Sequence, residues 1–232
     1  MLGETAAAHR HTATAVRFII EGQGTALNRV LIDVGGFTAV HGKRIKMQRG
    51  DVILTPQWQY HDHGKDGNGP MIWLDGLDLP QFQHFPVHFV EHYEEPRYPA
   101  EDDGTADLVW PWKEMKARLD AVPGEWVHRD YRRENGEALS RVIGTSAERV
   151  CGHAPERQET ASSVYHVIEG QGKAIIDGKV LEIAEGDTFC VPAWKRYEIE
   201  GTMYLYRFDD KPMLEKLGFY RNRDYVVFPY NQ

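Results

Sequence analysis

Cysteine is scarce, with Cys151 and Cys190 the only two in 232 residues. Two cysteines cannot build a disulfide framework of the secreted kind, and they read as free thiols in a reducing compartment. Long apolar runs are also missing: none approaches the roughly 18 residues that a membrane-spanning helix needs. Met1 to Ala8 lacks the basic and apolar regions of a signal peptide, so the expected location is cytoplasmic. Positive charge is in deficit, 27 Lys and Arg against 35 Asp and Glu, for a formal net charge of −8. Nucleic acid and anionic membrane surfaces reward clustered cations, so neither is an expected partner. The remainder, 41% hydrophobic and 27% charged, is ordinary for a globular protein, and the length allows one large or two small domains.

Histidine is present in a pattern. His9-Arg10-His11 puts two imidazoles at i and i+2, which on an extended strand share one face. About fifty residues later Gly50-Asp51 opens the apolar run Val52-Ile53-Leu54, Pro56 stops it, and His61 follows. Neutral imidazoles suit iron, zinc, copper or nickel, whereas magnesium and calcium prefer oxygen, so His9, His11 and His61 read as ligands of a transition metal. No fourth ligand appears in either motif. A structural zinc site is closed by four ligands, so three imply open positions and catalysis.

The motif pair resembles the cupin superfamily, except that the glutamate usual four or five residues after the second histidine is replaced by Ala15 and Val16. The surrounding words narrow the resemblance: Val16-Arg17-Phe18-Ile19-Ile20-Glu21-Gly22, His61-Asp62-His63-Gly64 and Trp73-Leu74-Asp75-Gly76-Leu77-Asp78. Together they look like the gentisate 1,2-dioxygenase family, which includes salicylate and 1-hydroxy-2-naphthoate dioxygenases. The resemblance implies an all-β bicupin with minor helices: two double-stranded β-helix (jelly-roll) barrels in one chain. It also implies Fe(II), dioxygen and a small aromatic carboxylic acid as partners, ring opening of gentisate to maleylpyruvate, and assembly as a homo-oligomer. Members of that family carry a substantial region ahead of this motif. The expectation is therefore either a shortened form or a true start upstream of Met1.

Parity along Ala13 to Ile20 sets Arg17 on the same side as His9 and His11 if the strand runs without a bulge. Arg17 would then hold an anionic substrate beside the metal. The resemblance places His63 in the pocket as a hydrogen-bonding residue, with an exchange of roles with His61 as the alternative. Asp75 is expected to orient a ligand or a substrate-binding group; a buried salt bridge to Arg17 is the other reading. Trp58 and Tyr60 are expected to pack the barrel.

An internal repeat supports two barrels. Val16 to Gly24 matches Val164 to Gly172 at an offset of 148, and Gly50 to Trp58 matches Gly186 to Trp194 at an offset of 136. The first half thus carries an insert, broadly Thr25 to Gly36, that reads as a lengthened hairpin or flap. Carried across, the places of His9, His11 and His61 are taken by Arg157, Glu159 and Tyr197, which form no sensible divalent-metal site. The expected organisation is a metal-bearing barrel at 1–100, a linker with a short helix at 101–140, a metal-free barrel at 141–209 and a tail at 210–232. Lys113 to Asp120 and Lys211 to Leu217 read as the helices, and the aromatic tail Tyr220 to Tyr230 as docked on the domain. Two other functions are compatible with this text: a cupin isomerase or hydrolase using another divalent metal, and a non-catalytic bicupin that binds without turnover.

Overall fold

The structure, a computed structural model, describes residues 5–22, 26–27, 30–31, 35–102 and 107–223. It divides into two compact units, Met1–Glu114 and Met115–Gln232. The first contains β1 (Thr5–His11), β2 (Ala15–Glu21), β3 (Ala26–Leu27), β4 (Val30–Leu31), β5 (Gly36–Val40), β6 (Lys43–Lys46), β7 (Val52–Thr55), β8 (His61–Lys65), β9 (Ile72–Leu77), β10 (Val90–His92), β11 (Glu101–Asp102) and β12 (Val109–Trp110). Helix α1 (Trp112–Asp120) crosses the division. The second contains β13 (Trp126–Asp130), β14 (Gly144–Arg157), β15 (Ser163–Ile176), β16 (Lys179–Ala184), β17 (Thr188–Val191), β18 (Tyr197–Asp209) and α2 (Lys211–Lys216). Both helices fall where the sequence placed them.

In the first unit one sheet has the order β10-β1-β8-β5-β6-β11 and the other β12-β7-β2-β9. Strands β2 and β7 are rich in β-branched and aromatic residues, and Val16, Phe18, Ile19, Val52, Ile53 and Leu54 are all buried. The strand carrying the two histidines does not run on to Arg17. It ends at His11, and Thr12 to Thr14 turn the chain into the second sheet, held by Thr14 N–H on Asp78 Oδ1 at 2.9 Å. Arg17 is nonetheless buried. Strands β11 and β12 join the first unit's sheets and β13 joins the second's, so segments read as linker, Arg129 and Asp130 among them, are paired strand. Of the insert Thr25 to Gly36, residues 26–27 and 30–31 form a two-strand ladder, in keeping with a hairpin; residues 25, 28–29 and 32–34 lie outside the described residues. The same holds for the tail beyond Arg223, while Tyr220 donates its hydroxyl to Glu159 at 3.1 Å.

The second unit is built on long strands. β15 pairs with β17 along Ser163–His166 and with β16 along Gln171–Ile176, and with β18 along most of its length. Gly201 on β18 faces Gly152 on β14 and Gly172 on β15. A Cβ at Gly201 would stand 2.5 Å from the Gln171 carbonyl, and its φ of +137° favours glycine, so the three strands can cross closely there. The core gathers Val150, Ala154, Tyr165, Val167, Phe189, Ile199 and Leu205.

The repeat persists in the backbone. Non-glycine residues with positive φ come as His41 with Asp177 and Trp58 with Trp194, both pairs at the offset of 136. Trp58 N–H donates to the His11 carbonyl at 2.9 Å, and Trp194 N–H donates to the Glu159 carbonyl at 2.7 Å. The chain turn that precedes His61 in one barrel is therefore built in the other as well.

Candidate metal centre

Strands β1 and β8 are neighbours, and His9 stands opposite His61 in their register. With His11 two residues along, three imidazoles meet on one face. Ring centroids are 4.4 Å apart for His9 and His61, 4.7 Å for His11 and His61, and 5.4 Å for His9 and His11. One ring nitrogen of each lies within 4.8 Å of the others. Each Nδ1 faces a carbonyl: Ala7 at 2.8 Å for His9, Ala13 at 2.9 Å for His11 and Gln59 at 2.9 Å for His61. A carbonyl only accepts, so the proton sits on Nδ1 and the lone pair on Nε2. His61 Nε2 is buried with no hydrogen-bond partner among the described residues. Burial, then the Arg17 charge, pushes His61 down to about 3, so it is neutral. Three imidazoles, each with one ring nitrogen anchored to a carbonyl, form a donor set that fits a divalent transition metal.

His63 lies on β8 two residues after His61 and points to the same face. Its ring centroid is 5.7 Å from those of His61 and Trp73, and its buried Nδ1 has no partner among the described residues. Burial, then Arg17, lowers it to about 2. Arg17, only 4% exposed, stands opposite Asp75 across β2 and β9. Its Nε is 2.9 Å from Asp75 Oδ1, and its Nη1 donates to Thr55 Oγ1. Asp75 Oδ2 accepts from the Trp73 indole at 3.0 Å. The guanidinium is thus fixed at one edge and lies within electrostatic reach of His11, His61 and His63, adding to the lowering that burial chiefly causes in all three.

Sequence reasoning missed two neighbours. His92 on β10 is opposite His9, with rings 6.2 Å apart, and His88 lies 6.3 Å from His11. Their spacing of four carried no strand signal. Trp58 and Tyr60 do not pack the barrel. They clamp the Arg10 guanidinium at 4.7 and 4.6 Å while Glu91 pairs with it at 2.7 Å.

A model of the cupin domain matches residues 1–77. Gentisate 1,2-dioxygenase 1 of Aquipseudomonas alcaligenes is 32% identical over 253 residues, covering 94% of this chain and 70% of that protein. The chain belongs to the gentisate 1,2-dioxygenase family. Salicylate 1,2-dioxygenase of Pseudaminobacter salicylatoxidans, another bicupin of this family, superposes with a TM-score of 0.83 at 27% identity, over 96% of this chain and 72% of that one. Its structure with gentisate gives the same TM-score and identity, over 96% and 69%. The all-β bicupin architecture that the resemblance implies, with its two barrels marked by the repeat, is therefore that of the family.

In this gentisate-dioxygenase-type bicupin the second barrel fills the repeat-equivalent place with charge. Arg157 donates to Glu148 at 2.7 Å, Arg207 to Glu159 at 2.7 Å, and the Tyr197 hydroxyl to Glu159 at 3.1 Å. His166 meets Thr188 at 2.9 Å, and His153, exposed beside Glu198, forms with Glu198 and Glu200 a group of donors within 4.8 Å of one another, outside the repeat-equivalent positions. His128 adds a pH term. Burial would depress it, but hydrogen bonds to Asp130 and Glu148 outweigh that and lift it to about 9. Its folded value thus exceeds the ordinary 6.5, and its stabilisation is complete below pH 6.5 and lost as pH rises toward 9. The margin in Tm of wild type over His128→Gln is expected to shrink by on the order of 5 °C between pH 6 and pH 9.5, measured by thermal denaturation. A constant margin would contradict the assignment.

Proposed function

We propose that this protein is an Fe(II)-dependent ring-cleaving dioxygenase acting on gentisate, to give maleylpyruvate, or on a related hydroxylated aromatic acid. The observation that carries the reading is the convergence of three imidazoles with a buried guanidinium inside one barrel. His9, His11 and His61 would hold the iron, which when bound supplies open positions for a chelating substrate and the redox chemistry with dioxygen. Arg17 binds and orients the anionic substrate, its angle set by Asp75 and Thr55. Asp75 is a positioning residue in its turn, held by Trp73. His63, neutral and with a vacant buried nitrogen, hydrogen-bonds to the substrate or to oxygen. The overall change adds both atoms of dioxygen across the bond between the carboxyl-bearing and adjacent hydroxyl-bearing carbons, so no external reductant is required. Loading with Fe(II) without air, followed by gentisate and air, should produce the ultraviolet absorbance of the ring-opened product. No absorbance change with a fully loaded protein would remove gentisate as substrate.

We also place the protein in the cytoplasm as a homo-oligomer. Cys151 and Cys190 are free and exposed, as suits a reducing compartment, and no described helix is long and apolar enough to cross a membrane. Phe85, Val87 and Phe89 are more than half exposed just before β10, an edge strand whose own Val90 is also exposed, and such a surface favours a partner. Light scattering should give a mass of at least two chains, and Phe85→Glu with Phe89→Glu should reduce it. A wild-type monomer across the micromolar range would reject the assembly.

A further inference from the structure

The larger sheet of the first unit begins at β10 and ends at β11, and residues 93–100 carry the chain from one edge to the other. The segment starts along the edge of β1, where Tyr93 N–H donates to the Ala8 carbonyl at 2.9 Å and Ala8 N–H donates to the Pro96 carbonyl at 3.0 Å. It then passes over the face turned away from the histidines. Asp62 lies on that face, since it has the opposite strand parity to His61 and His63. It is only 1% exposed, and its two carboxylate oxygens accept from Arg97 Nη1 and from the Tyr98 N–H, both at 3.1 Å. Arg97 also covers the Phe37 ring of β5 at 4.7 Å, and past it Glu101 N–H donates to the Gly42 carbonyl at 2.9 Å. Gly64 makes room for this: a Cβ there would stand 2.6 Å from both Nη1 and Nη2 of Arg97. One strap is thus tied first to β1 and then to β8, and its peg on β8 is the residue between His61 and His63.

We propose, on the reading of His9, His11 and His61 as ligands, that Arg97 and Asp62 are positioning residues of the metal centre. The strap they fasten pins β1 to β8 and so keeps His9 and His11 at their spacing from His61. The direct ladder between those strands is weakest where it is needed: its register shifts between Ala6 and His9, beside the ligands. A second tie across the same two strands, made by a charge-assisted hydrogen bond to a buried carboxylate, holds what the broken ladder does not. Residues that fix metal ligands from behind are worth about 10- to 100-fold in affinity.

Co(II) is the probe, because its visible spectrum reports the geometry of the donor set. In the full-length protein, Arg97→Ala should weaken Co(II) at least about tenfold in competition with a chelator, and should shift its visible bands. Gly64→Ala leaves Arg97 and Asp62 unchanged but crowds the guanidinium off its seat. It should weaken Co(II) about threefold, a smaller share of the same effect, so a failure of Arg97→Ala to fold leaves the test standing. Arg97→Lys restores the charge without the planar fork and should recover part of the affinity. Ile45→Val, a core change in the same sheet away from the strap, controls for a general loss of stability. It should lower Tm while keeping the wild-type affinity and spectrum. Unchanged affinity and spectrum in Gly64→Ala and in a folded Arg97→Ala, or an equal change in Ile45→Val, would overturn the proposal. The double variant His9→Ala with His11→Ala separates the strap from the ligand set. Co(II) lost there but untouched by the strap variants rejects only the strap, whereas Co(II) kept there rejects the ligands.

Discussion

Replacing His9 and His11 together by alanine is expected to take the bound metal from one ion per chain to less than a tenth, with the fold retained. Both side chains are only partly buried, and the changes remove no core residue. Two of three donors are lost, and one imidazole cannot hold a divalent ion against water. Ring-cleaving activity should fall at least about a thousandfold, because the several kcal/mol that a bound metal contributes to the reacting oxygens disappear at about 1.4 kcal/mol per tenfold. Elemental analysis, circular dichroism and product absorbance on the same sample check the three statements together. Metal retained at full stoichiometry in a folded variant would show that other residues hold it. Metal found in the second barrel, where Arg157 takes the place of His9, would be equally damaging.

Arg17 carries the second large effect. Arg17→Ala should lower kcat/KM for gentisate by about 30- to 1000-fold, the range that follows from losing a charge-assisted contact of roughly 2–4 kcal/mol in a shielded site. Most of the change should fall on KM if the contact is made equally to substrate and transition state. Asp75, one third exposed, can turn to water when its partner is gone, so the barrel should survive. Arg17→Lys keeps the charge but loses the planar fork that Asp75 and Thr55 orient, and should recover only part of the loss. Unchanged kinetics for both variants, with metal bound, would reduce Arg17 to a structural ion pair.

Much of this was legible in the residues. His9 and His11 share parity, the glycine and proline around Val52 to Pro56 fix a strand and its end, and the repeat reports where the second barrel has lost its ligands. These are local patterns with a period, and the backbone honours them down to the positive φ values at Trp58 and Trp194. The corner at Thr12 to Thr14 was not legible, because no glycine or proline marks it and its hydrogen bond goes to Asp78, 64 residues away. His88 and His92 were missed for a related reason. They belong to a short strand and its approach in a segment rich in proline and charge, and only the register of β10 on β1 brings them to the histidine face. In the second barrel, the replacement of His9 by Arg157 could be read from the repeat, but its pairing with Glu148 could not. Both residues lie on β14, nine positions apart, and a register shift between Ala154 and Arg157 that periodicity does not reveal separates them.

The account rests on the first barrel consuming dioxygen to open an aromatic ring at a metal held by His9, His11 and His61. Its most direct test is to follow dioxygen and gentisate together in an oxygen electrode with the Fe(II)-loaded full chain. The prediction is equal molar loss of the two, dependent on iron. Loss of gentisate without uptake of dioxygen would point to an isomerase or hydrolase, and loss of neither, in protein carrying one iron per chain, would contradict the account outright.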